Sequence, residues 1–104
     1  MTIQEQYENL EKTVRGYNPA ADFQHIRAAF EFAAEAHKDQ KRKSGEPYII
    51  HPLAVAQIVA EELRLDSESI EAALLHDVIE DTAATHEQVS KLFSPTIADL
   101  VEGV

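Results

Sequence analysis

Apolar residues recur along the chain at three- and four-residue spacings, the period of an α-helix with one buried face. The pattern predicts six helices joined by short turns, over residues 3–15, 19–38, 52–63, 67–82, 86–93 and 95–104. No segment alternates apolar and polar residues long enough to make a strand, and the apolar run at residues 48–50 is too short for a sheet. We therefore predict an all-α fold.

Residues that favour helix starts mark several of these boundaries. The Asn-Pro pair at 18–19 is expected to open the second helix and Pro52 the third, because proline suits the first helical turn. Asp66 can cap the fourth helix. Thr85, followed three residues later by Gln88, resembles a capping box for the fifth.

The last predicted helix keeps its apolar rhythm to the final residue, through Ile97, Leu100, Val101 and Val104, and no Gly, Asn or Pro stop follows it. A domain rarely ends on a core position, so we expect the sequence to be a piece of a longer protein. These four side chains would then lack a packing partner. We expect the isolated chain to self-associate through them.

Composition excludes several classes of protein. The 104 residues suffice for one small domain or part of a larger one, and 44% hydrophobic with 27% charged residues excludes a disordered chain. The absence of cysteine excludes a disulfide framework, a thiolate zinc site and a cysteine nucleophile. No apolar run approaches the roughly 18 residues that span a bilayer, and the amino terminus lacks a signal-peptide core. We expect a soluble, cytoplasmic protein without a membrane partner.

The charge is strongly acidic overall but unevenly distributed. A net charge of −10 repels nucleic acid, so no nucleic-acid partner is expected. Four of the nine basic residues lie within residues 38–43, whereas residues 60–104 carry eleven acids against two bases. A basic cluster facing an acidic half can suit a site in which a small anion is held beside a cation. A basic loop that is simply exposed to solvent has the same composition.

Candidate chemistry is concentrated near the end of the predicted helix 67–82. In a regular helix, His76, Asp77, Glu80 and Asp81 share one arc of about 140°. Such a set is also typical of an exposed acidic helix end. However, three acids at this end oppose the helix dipole and repel one another, and a bound cation would remove both penalties.

His51 is the natural third ligand, because Pro52 directly after it favours an extended conformation at a helix start. The alternative role for a histidine there is capping. Neutral imidazoles with a carboxylate and no sulfur suit manganese, iron or zinc. Among the other residues, His37 and Tyr48 are expected in the core.

The segments that carry these residues resemble a known family. EAHKDQKRKSGEPYIIHPLAVAQIVAE, LDSESIEAALLHDVIEDT and LVEGV are similar to the N-terminal hydrolase domain of the RelA/SpoT family, which makes and degrades the alarmone (p)ppGpp. That domain belongs to the HD superfamily of metal-dependent phosphohydrolases, named for a His-Asp pair. The likeness runs from Tyr17 to Val104. It implies an all-helical HD fold and a manganese-dependent 3′-pyrophosphohydrolase that releases pyrophosphate and GDP or GTP.

The resemblance also implies roles for individual residues. By motif, the metal ligands are His51, His76 and Asp77, the acidic pair that handles the attacking water is Glu80 and Asp81, and the contacts to the guanine nucleotide are Arg42, Lys43 and Ser44. HD hydrolases complete the metal site with an aspartate from a later helix, which this sequence lacks. We therefore expect residues 1–104 to be the N-terminal part of an HD-type hydrolase domain, without a second domain and with negligible activity alone.

Two alternatives stay open. The chain could be a noncatalytic regulatory HD module of an alarmone synthetase, although such modules typically lose the His-Asp motif that is intact here. It could also be an HD phosphohydrolase acting on another nucleotide, although the segment RKSGEPYIIHP matches the alarmone branch.

Overall fold

A computed structural model describes residues 2–41, 45–82 and 84–102, with the backbone alone at Glu80, Asp81 and Glu102. The helices are α1 Ile3–Tyr17, α2 Phe23–Ala36, α3 Ile50–Ile58, a π-helical segment Val59–Leu63, α4 Ser67–Leu75, α5 Val78–Asp81, α6 His86–Leu92 and α7 Pro95–Glu102. The described ranges contain no strand, only an isolated bridge between Lys41 and Pro47. No helix in them is long and apolar enough to cross a membrane. The predicted all-α fold is confirmed.

Two predicted helix starts are confirmed by their caps. The Asp66 side chain accepts a hydrogen bond from the backbone N–H of Ser69 at 2.9 Å at the start of α4. At α6, the Thr85 hydroxyl accepts from Gln88 N–H at 3.2 Å, and the Gln88 side chain accepts from Thr85 N–H at 3.0 Å. This reciprocal pair is the predicted capping box.

The predicted start of the second helix at Pro19 is wrong. α2 begins at Phe23, because the carboxylate of Asp22 accepts the backbone N–H of His25 at 3.1 Å and takes the cap position. Asn18 instead ends α1, and its backbone N–H donates to Val14. The Asn-Pro pair therefore marks the end of α1 and not the start of α2.

The third predicted helix starts two residues earlier than expected and changes type before it ends. α3 begins at Ile50, so Pro52 lies within its first turn, where its missing N–H does no harm. From Val59 to Leu63 the chain is π-helical, and it stops at Arg64, whose φ of 48° is left-handed. Arg64 thus ends the helical segment, and Asp66 then caps the start of α4.

The fourth predicted helix, 67–82, is interrupted in the middle. α4 ends at Leu75 and α5 begins at Val78, with His76 and Asp77 between them. Asp77 has φ −98° and ψ −4°, a bridge conformation common among active-site residues. The interruption matters for the site, because it places two candidate ligands outside the regular geometry of a helix.

The core is built around α4, which packs against α2, α3 and α7. Its fully buried apolar residues are Ile70, Leu74 and Leu75. α1 joins this core through Tyr7, whose ring stacks on Phe30 of α2 at 4.4 Å. The contact between α3 and α4 brings the start of α3 towards the end of α4.

α7 is better packed than expected. Ile97 and Val101 are only 2% and 3% exposed, because α7 folds against α4 and α6. The expectation that these two side chains lack a partner is wrong. Leu100 is 42% exposed, and Val104 lies outside the described residues. Self-association through this helix stays a prediction, with less apolar surface to drive it.

Candidate metal centre

His51, His76 and Asp77 meet at the junction of α3, α4 and α5. Oδ2 of Asp77 lies 3.2 Å from Nε2 of His76 and 3.6 Å from Nε2 of His51. One ligand atom from each residue lies within 4.8 Å of the others, and no other group of three His, Asp or Glu side chains in the described ranges does so. The structure thus brings together the three predicted ligands, although 25 positions of sequence separate the two histidines.

Different local structures deliver these side chains. His51 lies in the first turn of α3, and its backbone N–H donates to the Tyr48 carbonyl at 3.0 Å. His76 and Asp77 lie in the interruption between α4 and α5. The side chains are 35%, 15% and 17% exposed for His51, His76 and Asp77, so the cluster is partly buried and open to a small ion.

The hydrogen bonds of His76 define which nitrogen is available. Its Nδ1 lies 2.6 Å from the carbonyl oxygen of Ala73, and because a carbonyl can only accept, Nδ1 carries the proton. In the neutral ring, Nε2 is then an acceptor, and it faces the acceptor Oδ2 of Asp77 at 3.2 Å. Two acceptors at this distance repel each other unless a proton or a metal cation lies between them.

This donor set fits a divalent ion. Two imidazole nitrogens and a carboxylate, with no thiolate, suit borderline-hard metals such as manganese, iron and zinc. The bond from His76 Nδ1 to a backbone carbonyl is the usual second contact of a metal-binding histidine, since it orients the ring and leaves Nε2 free. The residues present therefore fit the ion that the sequence predicted at this place.

Tyr48 is a member of the site that the sequence did not predict. It was expected in the core, but it is only partly buried, and its hydroxyl donates to Oδ2 of Asp77 at 2.8 Å. Its ring lies 5.9 Å from that of His51, edge to face. The spacing of three residues between Tyr48 and His51, one helical turn, was the available signal.

The other predicted site residues are not placed by the structure. Arg42, Lys43 and Ser44 lie outside the described residues, and so do the side chains of Glu80 and Asp81. The backbone of the acidic pair belongs to α5, which starts immediately after Asp77. The roles assigned to these five residues stay predictions.

Comparison with known proteins defines the family. The family model described as HD domain matches residues 29–104. This chain belongs to the HD domain family. HD domains depend on metal ions, and this HD domain has a candidate His/Asp site for one.

Its relatives confirm the resemblance to the RelA/SpoT branch. The HD domain is 50% identical over 98 residues to the bifunctional (p)ppGpp synthase/hydrolase SpoT of Escherichia coli K12, covering 94% of this chain and 14% of SpoT. It is 54% identical over 97 residues to the guanosine-3′,5′-bis(diphosphate) 3′-pyrophosphohydrolase of Aquifex aeolicus, covering 93% and 14%. The chain thus spans about 14% of the length of these curated relatives.

A solved structure shares the fold. It is that of a metazoan ortholog of SpoT, described as hydrolysing ppGpp and playing a role in starvation responses. The match has a TM-score of 0.74 at 38% identity and covers 77% of this chain and 47% of the other.

Proposed function

We propose that these residues form the N-terminal part of an HD-type hydrolase domain that removes the 3′-diphosphate from (p)ppGpp, giving GDP or GTP and pyrophosphate. The observation that carries the proposal is the convergence of His51, His76 and Asp77 on one point. The support for the substrate is the identity of about half of the aligned residues with proteins named for this reaction. Because the substrate is a guanine nucleotide, the proposal includes a cytoplasmic location.

In this proposal His51, His76 and Asp77 hold a divalent cation, and manganese is the ion we assign. A bound divalent ion supplies positive charge that offsets the charge of the diphosphate and makes water a better nucleophile. His76 keeps Nε2 available through the bond from Nδ1 to Ala73. The carboxylate of Asp77 contributes the negative charge that two neutral imidazoles lack.

The remaining roles follow from the motif. Glu80 and Asp81 accept the proton of the attacking water, a task that carboxylates perform as general bases. Arg42 and Lys43, with Ser44 beside them, contact the nucleotide, since a planar guanidinium can stack on a base or pair with phosphate oxygens. These positive charges lie in a chain of net charge −10, which would otherwise repel a polyanionic substrate.

The test is hydrolysis by the complete protein that contains these residues. We expect pyrophosphate release from ppGpp in the presence of Mn²⁺, lost on Asp77→Ala and retained on His86→Ala. His86 is the matched control, because its Nε2 lies 3.1 Å from Asp99 on α7 and it is not a member of the proposed site.

Other results would overturn the proposal. Full activity of Asp77→Ala would contradict the role of the cluster. Faster hydrolysis of a different nucleotide would favour an HD phosphohydrolase of other specificity. Metal binding without hydrolysis of any nucleotide would favour a regulatory module.

A further inference from the structure

Oδ2 of Asp77 is the point at which three polar side chains converge. The hydroxyl of Tyr48 lies at 2.8 Å, Nε2 of His76 at 3.2 Å and Nε2 of His51 at 3.6 Å. With its proton on Nδ1, neutral His76 offers no donor to this oxygen. The phenol hydroxyl, in contrast, donates a hydrogen bond to it. Of the three contacts to this oxygen, the one from Tyr48 is the shortest.

Tyr48 is itself held firmly. Its backbone N–H donates to the Gln40 carbonyl at 3.1 Å, and its own carbonyl accepts from His51 N–H at 3.0 Å. Its ring lies 4.6 Å from the ring of His37, which is 2% exposed and bonded through Nδ1 to the Gln40 side chain at 2.9 Å. The segment after α2 and the first turn of α3 thus fix the position of the hydroxyl.

This arrangement restrains the carboxylate. Without a partner, the carboxyl group of an aspartate rotates broadly about its last side-chain bond. A hydrogen bond from a fixed hydroxyl to a charged oxygen is short and strong, so it selects one orientation. In the orientation seen here Oδ2 faces both imidazoles, which is the orientation that an ion shared by the three residues requires.

We infer that Tyr48 is a positioning residue that acts on the metal site through Asp77, an inference that rests on the proposed function. Removing a residue that orients a metal ligand typically weakens metal binding about 10- to 100-fold. We expect an effect of this size on Mn²⁺ affinity when the hydroxyl alone is removed, and no loss of the fold.

The experiment is a Mn²⁺ titration of the complete protein that contains these residues, with free Mn²⁺ followed by electron paramagnetic resonance. Tyr48→Phe keeps the ring against His37 and His51 and removes only the hydroxyl. Tyr17→Phe is the matched control, because it removes a tyrosine hydrogen bond of similar length, 2.7 Å to the Leu65 carbonyl, away from the cluster. His51→Ala tests the metal site itself, and thermal unfolding of each variant without metal reports the fold.

The expected result is a Kd for Mn²⁺ about 10- to 100-fold higher in Tyr48→Phe and unchanged in Tyr17→Phe, with similar unfolding temperatures for both variants. If Tyr48→Phe binds within about twofold of the wild type while His51→Ala loses binding, the inference on Tyr48 is wrong and the proposed site stands. An equal loss in both Phe variants also overturns the inference, since it shows a general structural effect. If the wild type and His51→Ala bind alike, or the wild type does not bind, the proposed metal site fails and the inference fails with it.

Discussion

Glu71 is a carboxylic acid in the interior, and its removal should change how the stability of the chain depends on pH. It is 1% exposed on α4, and its Oε1 has no hydrogen-bond partner. Nδ1 of His25 on α2 lies 3.8 Å from this oxygen. Burial, and to a smaller extent the negative charges of Asp22, Glu68 and Asp66, raise the pKa of Glu71 from 4.5 to about 7.

The sign of the effect follows from proton binding. Between about pH 4.5 and about pH 7 the folded chain keeps a proton on Glu71 that the unfolded chain has lost, so the folded state loses stability as the pH rises. The difference between the two pKa values corresponds to about 3 kcal/mol once both states are ionised. About 2 kcal/mol of this loss falls between about pH 5 and about pH 8. Glu71→Gln removes the ionisation and should abolish that part of the decline.

The assay is urea unfolding of the 104-residue chain at several pH values across this interval. The advantage of Glu71→Gln over the wild type should grow by about 2 kcal/mol from about pH 5 to about pH 8. Glu31→Gln is the matched control, because Glu31 is an exposed carboxylate on α2 and the change in charge is the same. Parallel pH profiles for wild type and Glu71→Gln would refute the argument that burial holds the proton on Glu71.

Three further outcomes are expected. Leu74→Ala should lower the free energy of unfolding by about 2–5 kcal/mol, since it opens a cavity where the Leu74 side chain is fully buried, and a loss below about 1 kcal/mol in urea unfolding would contradict that packing. Thr85→Ala should lower it by about 1 kcal/mol through loss of the cap on α6, whereas Thr85→Ser should retain most of it, and equal losses in the two variants would argue against the cap. The 104-residue chain with Mn²⁺ and ppGpp should release negligible pyrophosphate, because three ligands hold the ion weakly. Turnover comparable to that of the complete protein would show that three ligands are enough.

The helical fold was predictable because its determinants are local. Asp66 and Thr85 cap the helices that follow them, as expected, since a cap needs only a side-chain oxygen and an N–H three residues later. The start at Pro19 was wrong, because Asp22 competes for the same role and spacing alone does not choose between them. The burial of Ile97 depends on how α7 folds back onto α4 and α6, which no local pattern encodes.

The grouping of His51, His76 and Asp77 was predictable from the sequence, but its geometry was not. A regular helix separates the directions of His76 and Asp77 by about 100°, so the sequence suggested two ligands that diverge and a third that closes the site. In the structure the helix is interrupted at these two residues, and Oδ2 of Asp77 lies 3.2 Å from Nε2 of His76. The interruption is thus what allows neighbours in sequence to face one point.

The proposed role of Tyr48 in orienting Asp77 could not be predicted from the sequence for a related reason. An aromatic residue near apolar neighbours is ordinarily part of the core, and only the path of the backbone before α3 turns its hydroxyl towards Asp77. Residues that bind a metal ion directly can be recognised in the sequence, because His and Asp are common metal ligands. A residue that orients a ligand needs only one donor at the right place, and several residue types can supply it. The sequence therefore identifies the proposed ligands of this site more readily than a residue proposed to hold one of them in position.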